Sequence, residues 1–174
     1  MLRRPMLRRL LTPDWVLGTT LAELPLETLV EQGIRAMVLD VDCTLLPHRS
    51  SELPASVDRW LQHARTRMPI HLLSNNPSRR RIGAVAETIG LPFTTSAGKP
   101  RRTALRRVVG DLALPHEQIA LVGDRVFTDV LAGNRLGLYT VLVRPIDPKG
   151  LPSRHDRLQT LELRMARWLA IGLG

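Results

Sequence analysis

The 174-residue chain is short enough to form one domain and long enough to bury a sizeable hydrophobic core. It carries 25 Lys and Arg against 16 Asp and Glu, and the net charge of +9 favours partners that bear phosphate, such as nucleic acid, anionic lipid or a phosphorylated metabolite. The single cysteine excludes an internal disulfide, the aromatic content of 3% argues against binding by base stacking, and no apolar run is long enough to span a membrane.

Residues 1–23 form a basic segment ahead of the predicted core, which covers about 24–145 within a single domain of 1–174. The first eleven residues interleave arginine with leucine and methionine, so they lack the uninterrupted apolar core of a secretory signal. We therefore expect a cytoplasmic protein that contacts a membrane, if at all, only at its surface.

The core alternates short apolar segments with segments of helical periodicity. Strands are predicted over 34–39, 70–73, 93–96, 119–122 and 139–143, and helices over 24–32, 54–67, 78–89, from Pro100 onward, and up to 136. Trp60 falls on the apolar stripe of its helix, which predicts simple core packing. Strands that alternate with helices indicate an α/β fold with a doubly wound parallel sheet, because parallel neighbours need a crossover connection.

The first predicted strand ends abruptly in two carboxylates, Asp40 and Asp42. Its apolar run suits a strand buried on both faces, and ligands of open α/β sheets lie at the carboxyl ends of such strands. Two ionised carboxylates repel unless they share a cation or a proton. The pair therefore indicates a metal site, a nucleophile with an acid–base partner, or a solvated turn capped by Asp. Cys43 is not interpreted as the nucleophile, because side chains alternate along an extended segment.

Polar residues also follow two other predicted strands: Ser74 and Asn75 follow one, and Asp124 and Asp129 the other. Parallel strands place their carboxyl ends at one edge, so these groups are expected to converge, with Lys99 nearby. A phosphate dianion that approaches a carboxylate needs positive charge to offset repulsion. Oxygen ligands would hold Mg²⁺ for this purpose, although Mn²⁺ fits the same site.

These segments resemble, in order and spacing, the four motifs of the haloacid-dehalogenase (HAD) superfamily of phosphatases. They are Asp40-Val41-Asp42-Cys43-Thr44, Leu73-Ser74-Asn75, Lys99, and Gly123-Asp124 followed at four intervening residues by Asp129. The segment from Leu11 to about Val143 is similar to the class IIIA, YqeG subgroup. Cys43 departs from that pattern where Asn is expected, and Arg125 departs where Gln is commoner.

The resemblance implies a HAD-like Rossmannoid fold and an aspartyl-phosphate mechanism. Asp40 would attack phosphorus, and Asp42 would act as general acid and then general base. The resemblance assigns further roles to Thr44 and Ser74, which would hold the loop and the phosphate, and to Lys99, which would neutralise the intermediate. The candidate catalytic residues are Asp40, Asp42, Thr44, Ser74, Asn75 and Lys99. The candidate Mg²⁺ ligands are Asp40, Asp42 through its backbone carbonyl, Asp124, and Asp129 in or beside the coordination sphere.

The intervals between the motifs have room for one helix each and not for a separate cap domain, so the site would be open to a phosphate on a large molecule. Relatives of YqeG act as phosphatidylglycerophosphate phosphatases, and we favour this anionic phospholipid as substrate. One alternative is a nucleic-acid 3′-phosphate or a nucleotide, suggested by the charge and by residues 79–81, three arginines that we otherwise expect to form a solvated helix face. Another is a basic RNA- or ribosome-associated binding module with little activity.

The chain ends in a predicted amphipathic helix over 153–174. Its apolar stripe is Leu158, Leu161, Met165 and Trp168, and the same segment carries Arg154, Arg157, Arg164 and Arg167. The stripe either packs on the sheet of its own domain, which we favour, or lies on an anionic membrane. The oligomeric state is left open.

Overall fold

A computed structural model of the chain describes residues 3–153 and 156–171. Its centre is a six-stranded sheet in which every neighbouring pair is parallel, with the order β1-β6-β5-β2-β3-β4. The strands are β1 (Trp15–Val16), β2 (Ala36–Leu39), β3 (Ile70–Leu73), β4 (Phe93–Thr94), β5 (Ile119–Gly123) and β6 (Tyr139–Leu142). The predicted α/β, doubly wound parallel sheet is confirmed.

Seven α-helices accompany the described strands: α1 (Arg3–Leu11), α2 (Leu26–Glu31), α3 (Ala55–Arg67), α4 (Arg79–Ile89), α5 (Thr103–Leu112), α6 (Leu131–Asn134) and α7 (Arg157–Ile171). A π-helical turn, Val126–Val130, precedes α6. In the described chain, α3 is the only α-helix between β2 and β3, and α4 the only one between β3 and β4. The predicted absence of a separate cap domain is therefore confirmed.

Both faces of the central strand β2 are covered. Met37 and Leu39 pack with residues of α3 and α4, whereas Ala36 and Val38 pack with residues of α5. All four residues are fully buried, which explains why the strand is apolar throughout instead of alternating. Trp60 of α3 lies in the first of these cores, as expected, and its ring N–H donates to the carbonyl of Leu24 at 2.8 Å.

The sheet has one strand that the sequence prediction missed. The two-residue strand β1 pairs with β6 at the edge of the sheet, and it lies in the segment 1–23 that we had treated only as a basic extension. Two residues are too few to show a strand periodicity.

The amide of Asn134 holds the end of α1 and the residues that follow it, since its Nδ2 lies within hydrogen-bonding distance of the carbonyls of Arg9, Leu10 and Thr12.

The helix predicted to begin at Pro100 begins instead at Thr103. Arg101 and Arg102 therefore precede it and do not lie on it. The backbone N–H of Arg101 donates to the carbonyl of Gly98 at 2.9 Å, which closes a tight turn, and Gly98 has a positive φ of 66° that favours glycine. This turn carries Lys99, and the peptide bond between Lys99 and Pro100 is cis.

The prediction that the apolar stripe of the C-terminal helix packs on the sheet is wrong. Leu158, Leu161, Met165 and Trp168 are 47–61% exposed. The opposite face of α7 packs inward with Gln159, Glu162 and Ala166 buried, because its polar side chains find specific partners in the domain. Arg154 and residues 172–174 of the predicted helix lie outside the described residues. Among those described, no helix is both long enough and apolar enough to cross a membrane.

Candidate active site

Three adjacent strands deliver the candidate residues to one edge of the sheet. Asp40 follows β2, Ser74 follows β3 and Asp124 follows β5, and β2 lies between the other two strands. The register pairs Leu39 with both Leu72 and Val122, so Ser74 and Asp124 leave the sheet at one level, a single residue beyond that of Asp40. Parallel pairing thus assembles the site from positions that are far apart in sequence.

Three buried carboxylates meet one buried ammonium at this edge. Oxygens of Asp40, Asp124 and Asp129 lie within 4.8 Å of one another. The Nζ of Lys99 lies 2.6 Å from Asp40 Oδ1 and 2.7 Å from Asp129 Oδ1, and it also donates to the carbonyl of Leu73 at 2.9 Å. One cation therefore faces three carboxyl groups in a region that water hardly reaches.

This crowding perturbs the protonation of the cluster. Burial, together with the charge of Asp129, raises the pKa of Asp40 to about 6, although the ammonium of Lys99 counteracts the rise. Burial and the neighbouring carboxylates raise the pKa of Asp124 to about 9. Burial works against the charge of Lys99, but Asp129 and Asp40 outweigh it and raise the pKa of the ammonium. Lys99 therefore stays charged at neutral pH.

Asp42 lies at the more accessible side of the cluster, with 28% of its side chain exposed. Its Oδ2 accepts a hydrogen bond from the hydroxyl of Ser74 at 3.2 Å, and its Oδ1 accepts one from Arg81 Nη1 at 2.6 Å. Arg81 is itself held by the carbonyl of Ser50, to which its Nε and Nη2 donate at 2.9 and 2.6 Å. The carboxylate of Asp42 is thus fixed between two side chains.

Arg81 is a residue that sequence reasoning misjudged. The three arginines of 79–81 were expected to form a solvated helix face. Arg80 fits that expectation, whereas Arg79 and Arg81 each contact another side chain. Arg79 lies over the ring of Phe93, 5.2 Å from its centroid, and Arg81 contacts the candidate acid. Helical position alone cannot reveal this contact, because Asp42 lies 39 residues away in sequence.

Thr44 and Asn75 support the cluster in different ways. The fully buried hydroxyl of Thr44 lies 3.2 Å from Asp40 Oδ2 and 3.4 Å from Asp124 Oδ1, so it can donate to either carboxylate. The side chain of Asn75 does not join the carboxylates. Its amide pairs with the backbone of Lys99, donating to the carbonyl at 2.9 Å and accepting from the N–H at 2.8 Å. Asn75 therefore positions the turn that carries Lys99.

The end of β5 is shaped to admit the carboxylate of Asp129. The π-helical turn brings Asp129 back over Gly123, and a Cβ at position 123 would overlap the Asp129 carboxylate. Asp129 Oδ2 accepts from the backbone N–H of Arg125 at 3.2 Å, which closes the loop on itself. Glycine at 123 is therefore required by close approach.

Helix α7 holds this loop from outside, a feature that sequence reasoning also missed. Gln159 Nε2 donates to the carbonyls of Asp124 and Val143 at 2.6 and 2.7 Å. Glu162 Oε1 accepts from Arg125 Nε and Nη2 at 2.9 and 2.6 Å, while its Oε2 accepts from the N–H of Val126 at 2.9 Å. The only sequence signal was a pair of polar residues three apart on a helix, which is ordinarily a solvated face.

Cys43 lies beside the cluster without taking part in it. Burial and the charges of Asp124 and Asp40 raise the pKa of its thiol to about 12, so the thiolate is not accessible near neutral pH. Its φ is 67°, a left-handed conformation that Asn adopts more readily than Cys. The Asn of the family pattern would therefore suit this backbone conformation better than Cys43 does.

The donor set of the cluster fits a hard divalent cation. Three carboxylates converge on one space with a single ammonium, and Asp129 Oδ1 makes its contact with Lys99 at an orientation that is not a hydrogen bond. Mg²⁺ prefers oxygen ligands of this kind. Asp40, Asp124 and Asp129 are the side chains that would hold it. The side chain of Asp42 is engaged by Ser74 and Arg81, so only its backbone carbonyl is left as the ligand that the resemblance implied.

Comparisons with known proteins agree with this geometry. The family model described as "HAD-hyrolase-like" matches residues 96–145, which include Lys99 and the loop from Asp124 to Asp129. The chain is 31% identical over 154 residues to the "probable phosphatase YqeG" of Bacillus subtilis (strain 168), an alignment that covers 87% of this chain and 88% of that protein. It is 29% identical over 99 residues to the chloroplastic phosphatidylglycerophosphate phosphatase 1 of Chlamydomonas reinhardtii, covering 56% of this chain and 37% of that protein.

A solved structure shares the fold. It is that of a HAD superfamily (subfamily III A) hydrolase of Legionella pneumophila, with a TM-score of 0.51 and 17% identity over 84% of this chain and 93% of that chain. Identity at that level speaks only for the fold, but the similarity to YqeG extends over most of both sequences. From these findings we conclude that the chain belongs to the HAD superfamily of phosphatases, in the group that includes YqeG.

Proposed function

We propose that this phosphatase hydrolyses the terminal phosphate of phosphatidylglycerophosphate through a phosphorylated Asp40, with Mg²⁺ as cofactor. The observation that carries the chemistry is the position of Asp40, which is paired with Lys99 and flanked by Asp124 and Asp129 at an uncapped sheet edge. Bound there, Mg²⁺ would withdraw charge from the phosphoryl oxygens.

In the first step, a carboxylate oxygen of Asp40 forms a bond to phosphorus while the bond from phosphorus to the leaving oxygen breaks. A pKa of about 6 leaves Asp40 ionised at neutral pH, as a nucleophile must be. The buried ammonium of Lys99 offsets repulsion between this carboxylate and the phosphate. Asp42, on the accessible side, gives its proton to the leaving alkoxide.

In the second step, water attacks the phosphorus of the aspartyl-phosphate. Asp42, now ionised, takes a proton from that water, and the bond between phosphorus and the Asp40 oxygen breaks to release phosphate. Arg81 and Ser74 keep the Asp42 carboxylate in one orientation for both transfers. Lys99 remains paired with Asp40 throughout, so the regenerated carboxylate is again stabilised.

Two observations support a lipid as the substrate. The helices between the motifs leave the carboxylate edge uncovered by any second domain, so a phosphate on a large molecule can reach it. The Chlamydomonas relative is named for phosphatidylglycerophosphate, although the matching region is 37% of that protein. The net charge of +9 suits an anionic substrate but does not select lipid over nucleic acid.

The test is phosphate release from phosphatidylglycerophosphate in mixed micelles, with Mg²⁺ and with EDTA. Parallel assays use an aryl phosphate and an oligonucleotide with a 3′-phosphate. The variant is Asp40→Asn and its matched control is Asp111→Asn, which changes an exposed aspartate on α5. Acid quenching followed by mass spectrometry of peptides reports any phosphoryl group on Asp40.

We expect Mg²⁺-dependent release from the lipid well above the other substrates, lost in Asp40→Asn and kept in Asp111→Asn. Activity on the aryl phosphate alone would retain the mechanism and reject the lipid. Preference for the oligonucleotide would establish the nucleic-acid alternative. Absence of activity on all three would reject the enzyme and leave a basic binding module.

A further inference from the structure

The outward face of α7 is apolar along its length. Leu158, Leu161, Met165 and Trp168 recur at intervals of three and four residues, so they form one continuous stripe, and each is about half exposed or more. Their exposure is not the result of a loosely placed helix, because Gln159 and Glu162 on the inward face are anchored to the loop that follows β5. We call these four side chains the α7 stripe.

Positive charge borders the α7 stripe. Arg157 precedes Leu161 by one helical turn, and Arg164 precedes Trp168 by the same interval, so two exposed guanidinium groups lie along one side of the stripe. Arg167, also exposed, lies further round the helix. Apolar side chains next to a row of arginines are complementary to an anionic membrane surface, where the chains enter the interface and the arginines meet the headgroups.

Other occupants fit this surface less well. A stable interface between two copies buries roughly 800 Å² on each partner, which is more than four half-exposed side chains in a single row supply. Nucleic acid would meet the arginines but leave the leucines and the methionine against phosphate and water. Of these three occupants, an anionic lipid surface satisfies both the apolar and the charged parts.

We propose that the α7 stripe, with Arg157 and Arg164, docks this protein on an anionic membrane surface. Since α7 also holds the loop that carries Asp124, this helix connects the docking surface to the candidate active site. The inference rests on the proposed function in one respect, namely that a lipid phosphomonoester would be presented at such a surface. Binding to vesicles is measured without substrate, so it can fail while the phosphatase proposal holds, and the reverse is also true.

The experiment is co-sedimentation of the full chain with vesicles of phosphatidylcholine, with and without a minor fraction of phosphatidylserine. One double variant, Leu161→Gln with Trp168→Gln, removes apolar contact, and its control is Val16→Gln at an equally exposed valine on β1. A second, Arg157→Gln with Arg164→Gln, removes charge. Its control is Arg106→Gln with Arg107→Gln on α5, which makes the same change in net charge at exposed positions. Circular dichroism confirms that each variant is folded.

We expect binding to the anionic vesicles that weakens as salt is raised. Removing the arginines should weaken it about fivefold per residue, and removing the apolar side chains about tenfold per residue, while both controls bind as the unaltered chain does. Wild-type tryptophan fluorescence should shift to the blue on binding, and this shift should be lost in the variant without Trp168.

Absence of binding, or equal loss in the charge variant and its α5 control, would overturn the proposal. So would a dimer in sedimentation equilibrium that dissociates in Leu161→Gln with Trp168→Gln, because the α7 stripe would then be an interface between two copies. Loss of RNA binding, rather than vesicle binding, in the arginine variant would assign the surface to nucleic acid.

Discussion

At the scale of residues, the site is dominated by the crowding of buried carboxyl groups. Asp40, Asp124 and Asp129 are each less than a tenth exposed and have Lys99 as their one buried cationic partner among the described residues. Such crowding costs stability, and proteins tolerate it where a ligand offsets the charge in the working state. The pKa of Asp124, raised to about 9, reflects this cost, because the fold disfavours the ionised form of its side chain.

Asp124→Asn is therefore expected to stabilise the protein in EDTA. The amide keeps the shape of the side chain, and it removes the cost of protonating Asp124 on folding, which its raised pKa imposes at neutral pH. We expect a gain of about 1–3 kcal/mol, or roughly 3–10 °C in Tm. Thermal unfolding followed by circular dichroism measures this. The same variant should lose Mg²⁺-dependent activity. A fall in Tm, relative to an unchanged Asp111→Asn control, would contradict the account of repulsion.

Arg81→Ala should lower kcat for an aryl phosphate about tenfold with little change in KM. The guanidinium fixes Asp42 at 2.6 Å, and an acid that rotates freely is less often aligned with the leaving group. Steady-state kinetics of Arg81→Ala, beside its exposed neighbour Arg80→Ala as control, tests this. A rise in KM with kcat preserved would instead mean that Arg81 binds substrate.

The strained backbone at Cys43 gives a prediction about stability. Its φ of 67° disfavours a side chain such as Cys and suits Asn, which adopts the left-handed conformation at lower cost. Cys43→Asn should raise stability by about 0.5–1 kcal/mol, or roughly 1–4 °C in Tm, with activity retained. Urea unfolding of the two proteins measures the difference, and destabilisation would show that the thiol packing matters more than the backbone.

At the scale of elements, α7 acts as a support for the loop that follows β5. Its inward side chains bind backbone and side-chain groups of residues 124–126 and not merely apolar surface. Such hydrogen bonds would orient the candidate metal ligands Asp124 and Asp129 without contact between α7 and the metal. The outward face of α7, by contrast, is exposed.

Glu162→Gln tests this support. The amide keeps the size of the side chain but weakens the paired hydrogen bonds to Arg125, so the loop loses its fixed geometry. We expect the Mg²⁺ concentration for half-maximal activity to rise about tenfold, with a small change in KM. Glu87→Gln, at an exposed position on α4, is the control. An unaltered Mg²⁺ titration would limit Glu162 to a role in stability.

At the scale of the whole molecule, the proposed Mg²⁺ would compete with protons for the carboxylate cluster. The pKa of Asp124 rises from 3.8 in the unfolded chain to about 9 in the fold, and that of Asp40 rises to about 6. The folded, metal-free protein therefore holds protons that the unfolded chain releases, so its stability falls as pH increases from about 4 to about 9. A cation that replaces those protons reverses the loss.

Saturating Mg²⁺ should thus raise Tm, and by more near pH 8 than near pH 6. Binding at a hundred times the dissociation constant adds about 2.7 kcal/mol, which corresponds to roughly 5–10 °C. Differential scanning calorimetry with Mg²⁺ or EDTA at the two pH values provides the comparison. An equal shift at both values would mean that no proton is displaced from the cluster.

The fold and the central cluster were accessible from local patterns. Buried strands of four or five residues, separated by helices, determine a parallel sheet, and the parallel sheet brings Asp40, Ser74 and Asp124 to one edge. The helix boundary at Thr103 was less predictable. The turn formed by 98–101 depends on a backbone hydrogen bond that the presence of Pro100 does not predict. The edge strand β1 was missed because two residues carry no periodicity.

The sequence by itself determined the alternation of strands and helices from β2 onward, the motif residues and the open edge of the sheet, since all of these follow from neighbours in the chain. Only the tertiary structure decided which polar residues form hydrogen bonds with one another. Arg81 reaches Asp42, Asn75 reaches the backbone of Lys99, and Glu162 reaches Arg125 across separations of 39, 24 and 37 residues. It also decided that α7 turns Gln159 and Glu162 inward and its apolar stripe outward. The physical reason is that a buried hydrogen bond depends on the partner that packing supplies, and no local pattern contains that partner.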